Sequence, residues 1–497
     1  PVTHDLSNDL SNDLGNDLGT RTRTALRWSG LSQILQQGIN IGCTVVLARL
    51  LLPADFGLFA MASIFTGVAT FVLDLGLPAA LVQREHLSDG EITSAFWVSA
   101  LAGLVLAALG SAVAWPIAAF YDAPQLVPMV VVLSGNFLFS SLSRIQATLL
   151  TRRLDYRSLE LRTLGGQLVA AVGAVALAWW GWGVWSLVGR ICIAGAVEMV
   201  VLWSVSGWRP RWHFCWEEVR TMVGFGGGVL AANLLRYVGR NADNLLIGRF
   251  VGSTALGYYT LSYNLMTLPV LRLGKAVSGV LYASLARLQD DRPRLLAVWL
   301  RSCRLLVGCA GPVLAGLIAL AYPFVEVVYG ERWLSAAPLL QVLCLGGLAQ
   351  AVGLLNGTVL MAVGEVGLRL RLTALSVGLT VVAFACGLPW GALGVALAFT
   401  VATCASELYF IFRTLGCLEA PPALYAANLG GVLTAAVGMG VGVFVLRTVL
   451  ADRPAVLVLA LGIGMGCGLY LVLLRLCAPQ VLADLLALLP RKSWKLA

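Results

Sequence analysis

Apolar residues come in long unbroken runs along this chain, separated by short polar stretches that carry most of its arginines. Fourteen runs stand out, at 28–51, 57–81, 93–118, 127–150, 163–181, 184–205, 224–248, 256–284, 301–322, 336–362, 369–388, 391–412, 424–447 and 455–476. Each is near the roughly 20 residues that carry a helix across about 30 Å of hydrocarbon. Apolar positions do not alternate with period two, so the runs predict helices and not the strands of a barrel. The pattern predicts an all-α polytopic membrane protein with fourteen transmembrane helices. Gly, Ala and Ser are frequent inside the runs, which lets helices approach closely. Trp179, Trp180, Trp182 and Trp185 mark the turn between the fifth and sixth spans, where an interfacial aromatic belt belongs.

The polar stretches set the orientation. With the N-terminus inside, twenty-three of the 34 Lys and Arg fall on the cytoplasmic side, five on the other, and the rest within spans. That bias predicts fourteen spans with both termini in the cytoplasm. It also accounts for a net charge of +9 without nucleic acid as a partner. The composition agrees, with 59% hydrophobic and only 12% charged residues. A soluble domain carries about 25% charged residues, so a wet-surfaced enzyme is excluded. No connection is long enough to fold into a soluble catalytic domain; the longest are 206–222 and 285–300. Eleven cysteines show no C-x-x-C or Cys/His spacing, so neither a metal site nor a disulfide framework is expected. The first run continues through Leu52, well beyond the 7–15 residues of a signal-peptide core, and is expected to be retained.

The chain repeats itself at a shift of about 200 residues. Arg49, Gly57 and Phe59 match Arg249, Gly257 and Tyr259, and Val72-Leu73-Asp74-Leu75-Gly76 matches Val270-Leu271-Arg272-Leu273-Gly274. Span one thus maps onto span seven and span two onto span eight, as in transporters built from parallel repeats. The expected organisation is a polar N-terminal tail (1–24), an N-lobe of six helices (25–205), a pseudo-symmetric C-lobe of six (206–414), two C-terminal helices (415–478) and a basic tail (479–497).

Charges inside spans mark water-filled paths, because each costs about 3 kcal/mol at mid-bilayer on translocon scales. Arg236, Arg240 and Asp243 are spaced i, i+4, i+7, which places them on one face of a continuous helix. Arg272 and Lys275 follow in the next span, three residues apart. Structural roles are open for part of this set: Arg236 can snorkel, and Arg240 can pair with Asp243. Three cations remain once that pair is removed. A net positive cavity between the lobes suits a phosphate or pyrophosphate, which Arg binds bidentately and Lys as a point charge. Asp74, at the repeat position of Arg272, either pairs across the cleft, carries a coupling proton, or is a helix-end carboxylate. Glu198 and Glu407, on the equivalent spans six and twelve, are further ion-coupling candidates beside Asp243. Arg144 and Arg190 line an inner cavity or snorkel. No G-x-x-x-x-G-K-[ST] loop is present, so no cofactor is expected and an H+ or Na+ gradient is the expected driving force.

Three stretches carry a family resemblance. Ala48-Arg49-Leu50-Leu51-Leu52-Pro53-Ala54-Asp55-Phe56-Gly57 resembles the R-x-L-x-P-x-D-F-G stretch of polysaccharide exporters of the MOP superfamily. Asp74-Leu75-Gly76-Leu77-Pro78-Ala79-Ala80-Leu81-Val82-Gln83-Arg84 is similar to their D-L-G-L-s-a-A-L-I-Q-r stretch, and Tyr329-Gly330-Glu331-Arg332-Trp333 with Ala336-Ala337-Pro338 to Y-G-x-x-W-x-x-A-x-P. The closest subgroup in character is the Wzx-like exporters of the colanic acid type. The resemblance implies a flippase, not an enzyme, in the bacterial cytoplasmic membrane. It would move an undecaprenyl-pyrophosphate-linked oligosaccharide from the inner to the outer leaflet for exopolysaccharide, O-antigen or capsule assembly. Two lobes would open alternately, and a polysaccharide polymerase and a chain-length regulator would be partners. Cavity arginines would engage the pyrophosphate, a role carried here to Arg236, Arg240, Arg272 and Lys275, which lie outside the quoted stretches. Two alternatives share the fold: a lipid II flippase, and a multidrug antiporter, which would want acids in spans one or seven.

Overall fold

The computed structural model describes residues 28, 30–73, 81, 82, 84, 87–152, 155–217, 237, 239–289 and 291–488. The first helix, α1, covers 30–50. There follow α2 (Pro53–Leu73), α3 (Asp89–Ala112), α4 (Ala114–Tyr121), α5 (Leu126–Arg152), α6 (Tyr156–Trp179) and α7 (Trp185–Val205). The rest of the chain forms α8 (Ala242–Phe250), α9 (Ser253–Ala286), α10 (Arg292–Tyr329), α11 (Ala336–Gly353), α12 (Asn356–Ala362), α13 (Val366–Gly387), α14 (Gly391–Cys417), α15 (Pro422–Val449), α16 (Ala455–Cys477) and α17 (Pro479–Leu488). No strand occurs among the described residues. Ten helical stretches there are long and apolar enough to cross a membrane, and α1 and α2 coincide with the first two expected runs. The run at 224–248 lies largely outside the described residues, so a total of fourteen is not reached by counting.

Local chemistry sets the helix ends. The Ser88 side chain accepts from the Glu91 backbone N–H at 3.1 Å while Glu91 accepts from the Ser88 N–H at 2.8 Å, a capping box that starts α3. Asp291 accepts from the Arg294 N–H at 3.1 Å and starts α10. The 38-residue α10 bends at Leu320, which lies between Pro312 and Pro323 and has non-helical angles. Proline removes a backbone donor and crowds the preceding turn, which produces such kinks.

Contacts divide the chain into two compact units, Pro1–Asn241 and Ala242–Ala497. Inside each, the same pairs of helices pack. In the first, α3 packs on α5, α5 on α7, α6 on α7, and α2 on α3, α5 and α7; in the second, α10 packs on α11, α11 on α14, α13 on α14, and α9 on α10, α11 and α14. The duplication is therefore present in the packing as well as in the sequence. It extends to single residues at a shift of 210. Pro128, Val132, Leu133, Leu138, Thr148 and Leu150 of α5 correspond to Pro338, Val342, Leu343, Leu348, Thr358 and Leu360. In the same register, Gln146 and Asn356 are both fully buried, and neither amide makes a hydrogen bond among the described residues. The α6–α7 turn exposes Trp179, Trp180 and Trp182, and the equivalent α13–α14 turn exposes Trp390.

The largest core belongs to the second unit and is built on α10. Trp299, Leu306 and Val307 are buried there against Leu429, Val432 and Ala436 of α15 and Leu474 of α16. Tyr470 donates to the Gly308 carbonyl at 2.7 Å, and Tyr425 to that of Val352 at 2.7 Å. Part of the expected basic tail is helical. Asp484 of α17 accepts from Arg301 at 2.6 Å and Arg304 at 3.4 Å, and Val481 is fully buried. These contacts make the C-terminal helices part of the second unit's core.

The α13–α14 crossing depends on small residues. A Cβ on Gly387 would stand 2.5 Å from the Gly394 carbonyl oxygen, whereas one on Gly378 would meet nothing within 4 Å. Gly387→Ala should therefore cost about 1–3 kcal/mol through overpacking, and Gly378→Ala should be neutral or slightly stabilising. Thermal unfolding of the detergent-solubilised protein, followed by size-exclusion recovery, measures both.

Candidate functional site

Residues 239 and 240 are helical, Asn241 is in a turn, and α8 begins at Ala242. Across that turn the Asn241 N–H donates to the Tyr237 carbonyl at 3.1 Å, the i→i−4 bond of an α-helix. Arg240 is exposed, while Asp243 is 1% exposed. Arg236 lies outside the described residues, as does Asp74.

Asp243 sits in the first turn of α8, where the free N–H groups favour a carboxylate. Its Oδ1 accepts from the Asn244 N–H at 2.8 Å, and its Oδ2 accepts from the Tyr259 hydroxyl of α9 at 2.9 Å. Tyr259 is fully buried and stacks on Tyr263 with centroids 6.0 Å apart; Tyr263 meets Phe399 edge-on, and Phe399 stacks on Phe384 of α13. A carboxylate is thus held beneath a layer of aromatic rings by a positioned hydroxyl donor. Farther along α9, Arg272 and Lys275 are both exposed, three residues apart on one face. The second unit therefore carries two of the four expected cations side by side.

The acidic candidates on the paired spans have different surroundings. Glu407 of α14 is half-buried, with its carboxylate against the α-carbon of Gly353, so that any Cβ there would collide with it. Glu198 of α7 lies 3.7 Å from Arg162 of α6. Glu198 and Arg162 line a cavity of about 550 Å³ among α5, α6 and α7, together with Arg144, Ser143 and Thr148. Arg190 donates to Asn40 of α1, and Gln36 of α1 donates to Glu160 of α6 at 3.0 Å. Sequence reasoning had placed Arg162 with the cytoplasmic loop charges and left Glu160 and the α5 hydroxyls unremarked. The signal available was the run of Ser140, Ser143, Thr148 and Thr151 beside Arg144 within a span. Among the described residues no group of three or more His, Cys, Asp or Glu is arranged to hold a metal.

A family described as "Polysaccharide biosynthesis protein" matches residues 46–338. The chain belongs to that family. As a polysaccharide biosynthesis protein it has relatives of known assignment. Lipopolysaccharide biosynthesis protein WzxC of Escherichia coli (strain K12) is 26% identical over 384 residues, covering 76% of this chain and 78% of that one. Teichuronic acid biosynthesis protein TuaB of Bacillus subtilis (strain 168) is 28% identical over 352 residues, covering 69% and 71%. Among solved structures, the lipid II flippase MurJ in an inward closed conformation matches with a TM-score of 0.70 at 14% identity, over 92% of this chain and 100% of that one. An inward-facing multidrug resistance MATE family transporter of the MOP superfamily gives 0.61 at 14% identity, over 77% and 94%. The fold of this polysaccharide biosynthesis protein is thus the MOP type implied by its motifs, in a multi-pass membrane protein.

The Asp243–Tyr259 contact can be isolated. Tyr259→Phe should destabilise the protein by about 1–3 kcal/mol, because it strips a donor from a buried carboxylate. In an Asp243→Asn background the same change should cost less, with a coupling of roughly 1 kcal/mol or more. A double-mutant cycle of thermal unfolding in detergent measures the coupling, and strict additivity would show that the two groups do not interact.

Proposed function

We propose that this protein is a flippase that moves an undecaprenyl-pyrophosphate-linked oligosaccharide from the inner to the outer leaflet of the bacterial cytoplasmic membrane, with both termini in the cytoplasm. The observation that carries this reading is the pair Arg272 and Lys275, exposed on one face of α9 in a chain of the polysaccharide biosynthesis family. Two cations facing acyl chains would cost roughly 5–7 kcal/mol on translocon scales. Facing water, they form a ready site for a phosphorylated headgroup. Arg240 and Arg236 are proposed to complete the electropositive path. The relatives WzxC and TuaB are named for lipopolysaccharide and teichuronic acid biosynthesis, which favours a glycan cargo over a drug. The lipid II flippase MurJ shares the fold at 14% sequence identity.

Transport would proceed by alternating access without bond-making chemistry, handing the cargo to a polymerase and its chain-length regulator. An H+ or Na+ gradient would drive it. Asp243 is the leading coupling group, since a buried carboxylate beside the Tyr259 hydroxyl can exchange a proton or a small cation as the aromatic layer opens. Glu198, Glu407 and Asp74 are secondary candidates.

Deletion of the gene followed by lipid extraction should show one glycan accumulating on undecaprenyl pyrophosphate at the cytoplasmic face. In a complementation assay, Arg240→Ala and Lys275→Ala should each lower export by about tenfold or more, the loss expected for a charge-assisted contact of 1.5–3 kcal/mol. Protein levels should stay unchanged. Full export by both variants would remove the cationic path from the mechanism, and loss of protein would assign these residues a structural role.

A further inference from the structure

The cavity among α5, α6 and α7 has a chemistry of its own. It measures about 550 Å³ and lies wholly within the first unit, whereas Arg272, Lys275 and Asp243 belong to the second. That volume is in the range of small-ligand sites.

Four α5 hydroxyls line it, those of Ser140, Ser143, Thr148 and Thr151, and the last three spend their protons on their own helix. Ser143 donates to the Phe139 carbonyl at 2.6 Å, Thr148 to that of Arg144 at 2.9 Å, and Thr151 to that of Ala147 at 2.9 Å. Their oxygens can therefore only accept from a ligand. Glu198 adds carboxylate acceptors. The guanidinium groups of Arg144 and Arg162 supply donors and nothing else. Arg162 and Glu198 stand 3.7 Å apart, a distance that leaves room for one ligand hydroxyl to donate to the carboxylate and accept from the guanidinium. The Nε–H of Arg162 is buried and meets no acceptor among the described residues. Phe139 and Val82 give one apolar side.

This mixture separates the ligand classes. A bare anion wants donors only, and a metal cation wants acceptors only. A sugar hydroxyl both donates and accepts, and a pyranose also offers an apolar C–H face that rests against an aromatic ring. We infer that the α5–α6–α7 cavity is a saccharide subsite that binds one hexose of the transported headgroup. The Arg162–Glu198 pair and Arg144 engage its hydroxyls, Ser143, Thr148 and Thr151 accept from them, and Phe139 packs on its face. The assignment rests on the flippase reading, deepens it, and gives the protein a means of telling a glycosylated carrier from a bare one.

The test uses the full chain purified in detergent and four probes: undecaprenyl pyrophosphate alone, and the same lipid carrying glucose, galactose or N-acetylglucosamine. The wild type should bind at least one glycosylated probe about tenfold more tightly than the bare lipid. The double variant Ser143→Ala with Thr148→Val should shrink that preference to about twofold, with binding of the bare lipid little changed, and Glu198→Gln should separately shrink the same preference. The double variant keeps both helices and the ion pair intact, so it decides the matter if Glu198→Gln fails to fold. A sugar preference that both variants keep would overturn the subsite alone. An equal loss for bare and glycosylated lipid would mean that the cavity reads the pyrophosphate, and would overturn the saccharide assignment. A wild type that binds none of the four probes would overturn the flippase reading and the subsite with it.

Discussion

A polar group in hydrocarbon has no water to turn to, and this constraint organises the molecule. Each unsatisfied backbone donor or acceptor costs several kcal/mol in lipid, so a spanning chain must be helical. Side chains face the same cost, and here they meet it locally. Ser143, Thr148 and Thr151 of α5 donate back to carbonyls of their own helix, Tyr425 and Tyr470 donate to backbone carbonyls of neighbouring helices, Arg190 donates to Asn40 of α1, and Gln36 of α1 donates to Glu160. With hydrophobic attraction largely absent between helices in lipid, such contacts and close packing of small residues hold the bundle together.

Against that background the unmet groups are informative. Gln146 and Asn356 carry buried amides without hydrogen bonds among the described residues, at the same register of the two repeats. A single orphan would be a local accident; two at equivalent positions belong to the architecture that was duplicated. Asp243 is the contrasting case. It is as buried as these amides but sits at a helix N-terminus and accepts from the Tyr259 hydroxyl, an arrangement that lowers the cost of the charge.

The fold was largely legible in the sequence because hydrocarbon imposes a length and a continuity that few other environments do. The runs that became α3, α5, α6 and α7 needed only counting. The duplication was visible at Arg49/Arg249 and Val72/Val270, yet its clearest register, Pro128/Pro338 through Thr148/Thr358, was hidden by a different shift and by apolar strings that match by chance. The site was less legible. Spacing relates Arg240 to Asp243 along one run, but nothing in it says that Asp243 is buried under Tyr259 while Arg240 stays exposed. Arg162 read as a loop cation because it stands only ten residues beyond Arg152, although its helix carries it back to Glu198. Periodicity reports which residues share a helix face. It does not report which helix that face will meet.

Glu198 shows how far the surroundings, and not the residue type, decide a role. On sequence it and Glu407 are equivalent carboxylates on equivalent spans. In the structure one lies beside a guanidinium and a row of hydroxyl oxygens, and the other is pressed against the bare backbone of Gly353. Beside Arg162 a carboxylate has a charge-assisted donor and a row of hydroxyls within reach. Against Gly353 it has close backbone contact instead. The duplication supplied two copies of one scaffold, and the substitutions around these two positions, Arg162 on one side and Gly353 on the other, gave the copies different chemistry. If the protein is the flippase proposed, its two repeats divide cargo recognition and ion response between them.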